Sequence, residues 1–155
     1  TMEQPQDNLF ERDNVGRGYL PVYSLAGIGT TIWSPLASGV LTGKYNKGIP
    51  VDSRLNLPGY EWLKAEWESA GGKAKLAKVE KLAVLAEKSG MPIHHMALLW
   101  CLSNPHVSTV ILGASKESQL KDNLAALDSR HLMTDALKDK IEKILLNKPE
   151  APRRF

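Results

Sequence analysis

Two polar turns, each following a β-branched run, hold the side chains in this sequence that are best suited to bind an anion. In the later turn, Gly113-Ala114 follows the run at residues 107–111, and Ser115 stands where the N-cap of a helix would be. A helix N-terminus carries unpaired N–H groups and about half a positive charge, and Lys116 would add a full charge beside it. The pattern indicates a phosphate site, and a simple capped helix after a strand is the alternative.

The earlier polar turn begins at Trp33, where a predicted strand at residues 30–33 ends. A long loop follows at residues 41–59, interrupted by glycines and prolines, and loops of this length in compact domains commonly act as lids or binding loops. The loop carries Lys44 and Arg54, which could contact a phosphate together. Solvation is the simpler role for surface cations, and the residues alone leave both roles open.

Apolar residues with a period near 3.6 predict the helices that position these turns. Gly71-Gly72 should break the chain between two helices, because glycine costs about 1 kcal/mol in a helix interior. Gly90 should end a helix, and Trp62 and Trp67 should pack in the interior. The predicted helices are residues 20–26, 60–69, 73–89 and 93–103, one that follows Ser115, and one that is capped by Thr134 and stops before Asn147.

Three side chains with metal-binding or nucleophilic chemistry fall on the predicted helix at residues 93–103. His94 and His95 are adjacent, so they should point in different directions and cannot form the i,i+4 pair of a helical metal site. We therefore expect no metal there. Cys101 is the only cysteine and lies in an apolar run, which favours packing in a reducing compartment over a disulfide.

The composition of the 155 residues, 43% hydrophobic and 24% charged, is typical of one globular domain. The net charge of +3 is dispersed among acidic residues, which disfavours nucleic-acid binding. The sequence has neither a run of ~18 apolar residues nor a basic leader, so we expect a soluble, cytoplasmic protein. Residues 146–155 should form a basic tail that includes Arg153 and Arg154. The polar start at Thr1 predicts that the sequence begins inside a longer protein.

The predicted strands at residues 30–33 and 107–112 are separated by a long, mostly helical crossover. This arrangement predicts an α/β fold with parallel pairing. Parallel strands are buried on both faces and need more neighbours than the two found here. We therefore expect residues 1–155 to be a single partial domain of a larger sheet or barrel.

Five sequence motifs, taken together, resemble those of the aldo-keto reductases, and more narrowly the cytoplasmic beta subunits of voltage-gated potassium channels. The resemblance covers nearly the whole chain, with the motifs in the order and spacing of that subfamily. They are WSPLASGVLTGKY at residues 33–45, GIP-x2-SR at 48–54, GY-x-WL at 59–63, LWCL at 99–102 and LGASKESQL-x2-N at 112–123.

The resemblance implies the C-terminal part of a (β/α)8 TIM barrel that binds NADPH. Glu3-Gln4 would end the sixth strand, and residues 30–33 and 108–112 would be the seventh and eighth. The implied cofactor contacts are Gln4 under the nicotinamide; Trp33, Ser34, Pro35, Leu36, Ala37 and Ser38 around the pyrophosphate; Lys44 and Arg54 in the closing loop; and Gly113, Ser115, Lys116, Gln119, Asp122 and Asn123 at the adenosine end with its 2′-phosphate.

The chain departs from the subfamily pattern at Asp52, where a Tyr is usual, and at Asp122, where a Glu is usual. The family's catalytic Asp, Tyr, Lys and His or Asn have no matching positions. We therefore expect no catalytic residues in this chain, and we expect residues 1–155 alone neither to reduce carbonyls nor to fold as a stable monomer.

The function implied is that of an NADPH-dependent aldo-keto reductase of the channel beta-subunit type, which reduces aldehydes or ketones slowly and regulates channel gating or trafficking. The implied partners are the cytoplasmic assembly domain of channel alpha subunits, a carbonyl substrate, and identical copies in a homotetramer. The channel would also bring this cytoplasmic protein to the membrane. The alternatives are a non-enzymatic regulatory protein and a soluble aldo-keto reductase without a channel partner.

Overall fold

Three short parallel strands form the sheet in the computed structural model, which describes residues 2–150 and residue 152. They are β1 (Met2–Glu3), β2 (Gly29–Ile32) and β3 (Val107–Val110), in the order β1-β2-β3. β2 lies in the middle and pairs with both neighbours, although its register with β3 shifts by one residue after Thr30. The predicted parallel α/β arrangement is confirmed, with β2 one residue earlier than expected. Arg153 and Arg154 of the predicted basic tail lie outside the described residues.

The helices fall close to the predicted segments. Thr134 caps the last of them, because its hydroxyl accepts a hydrogen bond from Leu137 N at 3.3 Å, and Gly90 follows the longest at φ +82°. Within the described residues, no helix combines the length and apolar character needed to cross a membrane. The α-helices are α1 (Leu20–Ala26), α2 (Glu61–Glu68), α3 (Ala70–Lys88), α4 (Ile93–Leu102), α5 (Glu117–Ala125) and α6 (Asp135–Leu145), with short helical turns at Asn14–Gly18, Ala37–Thr42, Arg54–Asn56 and Ala126–Leu132.

The prediction that Gly71-Gly72 breaks the chain is wrong, because both glycines lie in the first turn of α3. Ser69 is the N-cap and accepts a hydrogen bond from Gly72 N at 3.1 Å. A Cβ at position 72 would lie only 2.5 Å from Trp67 Cα. The glycine is therefore required by the close approach of the α2 and α3 backbones, not by a chain break.

The core lies where α3, α4 and α6 pack together and against the turn Ala37–Thr42. Trp67 belongs to this core, as predicted, whereas the prediction of a packed Trp62 is wrong because its side chain is 65% exposed. The residues with almost no exposed surface include Val40, Leu41, Val79, Leu82, Met96, Leu99, Ile141 and Leu145.

A buried cation connects the segment after β1 to the last helix. The Arg12 guanidinium donates to both carboxylate oxygens of Glu142, at 2.9 and 2.7 Å, and to Asn147 Oδ1 at 2.9 Å. It also stacks over the Trp100 ring, 4.9 Å from its centroid. Asn147 Nδ2 in turn donates to Leu9 O at 2.9 Å. The two parallel hydrogen bonds between Arg12 and Glu142 join charged groups, so they stabilise this contact and also restrict its geometry.

The two glycines of α3 give a matched stability test. Gly72→Ala should lower the free energy of unfolding by about 1–3 kcal/mol, because its methyl group overlaps the α2 backbone. Gly71→Ala should raise it by up to about 1 kcal/mol, since its nearest neighbour is Ser69 Oγ at 3.8 Å and alanine favours the helix. Urea unfolding of both variants measures the difference. Equal effects at the two positions would contradict the packing of α2 against Gly72.

Candidate functional site

The carboxyl ends of the three strands meet at one edge of the sheet, and most of the predicted contact residues lie there. Backbone pairing continues past the strands, since Trp33 N donates to Pro5 O at 3.1 Å and Ile111 N donates to Ile32 O at 2.8 Å. Gln4 and Gly113 are exposed at this edge, and the Trp33 side chain is 44% exposed. In open and closed α/β sheets this is the edge at which ligands bind.

The turn after β2 has a strained backbone. Ser34, Ala37 and Ser38 have φ values of +56°, +47° and +57°, in the left-handed region that side chains with a Cβ rarely adopt. Each such residue costs about 1–2 kcal/mol. The turn is closed by hydrogen bonds from Ala37 N to Ser34 O at 3.0 Å and from Gly39 N to Leu36 O at 2.9 Å. Strain of this kind concentrates at ligand sites, which agrees with the predicted role of this turn.

Asn8 holds the strained turn in place, although no motif in the sequence points to it. Its side chain is fully buried, and its Nδ2 donates to Ser34 O at 3.0 Å. Its Oδ1 accepts from Phe10 N at 2.9 Å and from Glu11 N at 3.0 Å. An Asn whose side chain accepts from nearby backbone amides is a turn that can be predicted from the sequence. The contact with Ser34 joins residues 26 positions apart, so no local pattern predicts it.

Lys44 lies beside the strained turn, whereas Arg54 lies against Tyr60, the residue that follows the loop. A Cβ built on Gly39 would be 3.1 Å from both Cε and Nζ of Lys44, so the ammonium group lies over the turn. Lys44 Nζ is also 5.0 Å from the centroid of the Tyr45 ring. Arg54 Cζ is 5.6 Å from the Tyr60 ring centroid. Both cations are exposed, as is Asp52 in the same loop.

The prediction that Ser115 is the N-cap of α5 is wrong. The N-cap is Lys116, whose backbone is extended at φ −135° and ψ 143°. The Gln119 side chain folds back, and its Oε1 accepts from Ser115 N at 2.9 Å, from Ser115 Oγ at 3.2 Å and from Lys116 N at 3.3 Å. A glutamine at N3 of the helix thus accepts from the N-cap amide, which is one half of a capping box, whereas a serine cap would accept from the N2 or N3 amide. The Lys116 side chain is exposed.

The carboxylate of Asp122 is bonded to α4. His94 Nε2 lies 2.7 Å from Asp122 Oδ2, and His95 Nε2 lies 3.2 Å from Oδ1 and 2.8 Å from the Asp122 backbone oxygen. The prediction that the two histidines diverge is therefore wrong: their rings, 4.6 Å apart, turn toward one residue of α5. Asn123, the next residue, is buried.

The electrostatics of this contact favour a neutral His94 and an ionised Asp122. Burial lowers the pKa of His94, although the charge of Asp122 opposes the shift. Burial alone would raise the pKa of Asp122, but the nearby His94 and the hydrogen bonds from both imidazoles bring it below its usual value. At neutral pH the contact is therefore a pair of N–H groups donating to one carboxylate.

A second buried carboxyl group lies just behind the strand ends. Asp7 is 1% exposed, its backbone N–H donates to Trp33 O at 3.3 Å, and its backbone oxygen lies 3.8 Å from Cys101 Sγ. Burial raises the pKa of Asp7 to about 7, with Arg12 opposing the shift. Its Oδ2 has no hydrogen-bond partner among the described residues. Burial likewise raises the pKa of Cys101, which keeps this thiol protonated and unreactive.

The fold is that of the aldo/keto reductases: the model of the Aldo/keto reductase family matches residues 1–145, and the chain belongs to this family. It is 46% identical over 155 residues to a probable voltage-gated potassium channel subunit beta of Arabidopsis thaliana, covering 99% of the chain and 46% of that protein. It is 47% identical, with the same coverage, to a probable voltage-gated potassium channel subunit beta of Oryza sativa.

Among solved structures, the chain is similar to a glycerol dehydrogenase from Gluconobacter oxydans, with a TM-score of 0.71 and 25% sequence identity. That match covers 99% of the chain and 46% of the dehydrogenase. The chain thus spans about half the length of the relatives that it matches, and its three strands with their helices are part of a TIM barrel. The resemblance drawn from the five sequence motifs is confirmed.

The buried Asp7 predicts a pH-dependent stability. Its pKa is higher in the folded than in the unfolded state, so the folded state binds more protons between pH 4 and 7 and stability falls as the pH rises through this window. Three pKa units correspond to roughly 4 kcal/mol. Asp7→Asn should therefore be more stable than the parent at pH 8, and the two should converge near pH 4. Urea unfolding of both proteins at the two pH values measures this, and a constant difference would contradict it.

Proposed function

We propose that this chain forms the NADP(H)-binding part of an aldo-keto reductase of the channel beta-subunit type. The observation that carries the proposal is the strained turn at Ser34–Ser38, held by Asn8 and covered by the Lys44 ammonium group. The strained backbone of this turn lowers the stability of the fold, and such strain is typical of ligand-binding sites. The cation above the turn favours binding of an anion such as a pyrophosphate. The family and the dehydrogenase neighbour support a nicotinamide cofactor.

The cofactor would lie across the edge formed by the strand ends. Gln4, after β1, would lie under the nicotinamide, and the turn after β2 would hold the pyrophosphate. The segment after β3 would hold the adenosine end, with Gly113 giving close access and Lys116 supplying a positive charge near the 2′-phosphate. The helix N-terminus at Lys116 adds the positive end of the α5 dipole.

When bound, the cofactor would supply a hydride to a carbonyl carbon, and a proton would complete the alcohol. The residues of this chain would bind and orient the cofactor, and the loop that carries Lys44 and Arg54 would exclude water. We propose that the proton donor and its supporting residues come from the part of the barrel outside residues 1–155. The substrate class is an aldehyde or ketone.

We propose a potassium channel as the partner of the complete protein, with the cytoplasmic assembly domain of its alpha subunits as the contact, and a homotetramer as the assembly. The names of the Arabidopsis and rice relatives support this. Co-purification of the complete protein with a channel assembly domain tests the partner. A complete protein that binds and turns over NADPH but never retains that domain would point to a soluble reductase.

Lys116 gives a direct test of the cofactor. In the complete protein, Lys116→Ala should weaken NADPH binding by roughly 10- to 100-fold, the loss of one charge-assisted contact, and leave NADH binding almost unchanged. Lys121→Ala is the matched control on the same helix, because its ammonium group pairs with Glu117 at 2.7 Å. Fluorescence titration of both nucleotides measures the affinities. Equal affinity of the parent for NADPH and NADH would sink the proposed 2′-phosphate contact.

The loop cations predict slow release of the cofactor. If the loop must open before the nucleotide leaves, Lys44→Ala and Arg54→Ala should each speed dissociation by about tenfold and change association little. The effect of Lys44→Ala should be the larger, because Lys44 already lies over the turn. Lys47→Ala, exposed on the same loop, is the control. Stopped-flow release measures the rates, and unchanged release in both variants would mean that the loop does not close on the nucleotide.

A further inference from the structure

A cavity lies between the loop at residues 41–59 and the helices α2 and α3. Its volume is about 400 Å³, which is within the range of small-molecule sites. Its walls include Tyr45 and Leu55 from the loop, Trp67 from α2 and Leu76 from α3. The described residues that line it include none of those assigned above to the nucleotide. The cavity is therefore distinct from the proposed cofactor site, although both share the same loop.

Two polar groups in the cavity wall lack a hydrogen-bond partner. Tyr45 is 3% exposed and Trp67 is 6% exposed, and neither Tyr45 OH nor Trp67 Nε1 has a partner among the described residues. Buried polar groups are normally paired, because removing them from water without a partner costs free energy. The indole N–H of Trp67 can only donate, so it requires an acceptor. An acceptor oxygen on a ligand in the cavity would meet this requirement.

The charged groups around the cavity favour an anion. Lys64 and Lys73 contribute two ammonium groups, and Glu68 contributes one carboxylate, so the net charge of the lining is positive. Lys64 Nζ donates to Asn56 Oδ1 at 3.0 Å, and the Asn56 amide in turn donates to Pro50 O at 3.0 Å. The partner of Lys64 is thus a neutral group, which leaves the charge of this lysine uncompensated by that bond. A carboxylate is the ligand group that suits both the positive charge and the unpartnered indole N–H.

We propose that this cavity binds a small carboxylic acid with an apolar body, and that the bound acid holds the loop against α2 and α3. The apolar body contacts Ile49, Leu55 and Leu76, which form the apolar part of the lining. The carboxylate accepts hydrogen bonds from the indole N–H and from an ammonium group of Lys64 or Lys73. A bound acid therefore contacts the loop and both helices together, and it favours the position of the loop in which these contacts exist.

Tyr45 connects the cavity to the strained turn. A Cβ built on Gly39 would lie 3.8 Å from Cε2 of the Tyr45 ring, so the ring lies next to this turn. Lys44 Nζ lies 5.0 Å from the centroid of the same ring. An acid that holds Tyr45 in place also holds Lys44 over the turn, and it should slow release of a nucleotide bound there. This last consequence rests on the proposed NADP(H) site, whereas the acid site itself does not.

The first test titrates octanoate into the complete protein without nucleotide and measures binding by calorimetry. Octanol has the same chain without the charge and should bind about tenfold more weakly. The double variant Lys64→Met/Lys73→Met should weaken octanoate binding by roughly tenfold and leave octanol binding unchanged. Lys81→Met is the matched control, since Lys81 is exposed on α3 and does not line the cavity.

Glu68→Gln gives a change in the opposite direction. It removes a negative charge from the lining and should strengthen octanoate binding by about twofold. Adsorption of the apolar chain elsewhere on the protein predicts no effect of either charge substitution. If the lysine variant does not fold, octanol and Glu68→Gln decide. Equal affinity for octanoate and octanol overturns the proposal, as does octanoate binding that none of these substitutions changes.

The second test measures the loop by hydrogen–deuterium exchange. Octanoate should slow exchange of the amides at residues 45–56 severalfold in the parent and not in the lysine variant, and binding without this protection overturns the role of the loop. Stopped-flow release of NADPH from the same protein separates the two proposals. A protein that binds octanoate with a protected loop but binds no NADPH overturns the proposed function alone. A protein that binds NADPH but not octanoate overturns the acid site alone.

Discussion

The hydrogen bond from Asn8 Nδ2 to Ser34 O is the interaction on which the geometry of the site depends. Ser34 opens a turn with three strained residues, and such a backbone persists only where its surroundings leave it no alternative. Asn8 supplies one restraint, and the backbone pairing of Trp33 with the segment after β1 supplies another. Arg12 secures that segment to α6 through Glu142, so the last helix of the chain contributes to the shape of a turn more than 100 residues earlier.

The proposed anion site would use side-chain charge more than free backbone amides. In a typical phosphate site the N–H groups at a helix N-terminus point at the ligand. Here Gln119 Oε1 already accepts from Ser115 N and Lys116 N, so a phosphate that binds these amides must displace the Gln119 side chain. The displaced amide would then be able to donate its own N–H to the phosphate. Lys116 and Lys44 need no such rearrangement, because both residues are exposed.

Several features that depend on neighbouring residues could be predicted from the sequence, whereas the contacts below that join distant segments could not. The Thr134 cap and the end of α3 before Gly90 follow from local chemistry, and the three predicted strand ends meet at one edge as parallel pairing requires. The requirement for glycine at position 72 depends on how closely α2 approaches α3. A Gly-Gly pair that breaks the chain in a loop would look the same in the sequence. The contact of His94 with Asp122 spans 28 residues and two helices, and no periodicity within either helix predicts it.

The exposed apolar residues are those expected of a chain that covers only part of a TIM barrel. Leu120, Leu124 and Leu127 are spaced by four and three residues along α5 and the turn after it, and all three are more than 40% exposed. Such a stripe is the face that a surface helix of an α/β barrel normally packs against its neighbours. β1 and β3 each pair on one side only in the described sheet, whereas every strand of a closed barrel pairs on both. The leucine stripe and the two free strand edges therefore mark where the rest of a TIM barrel completes the packing, and the loops of those further strands would complete the proposed site at the same edge.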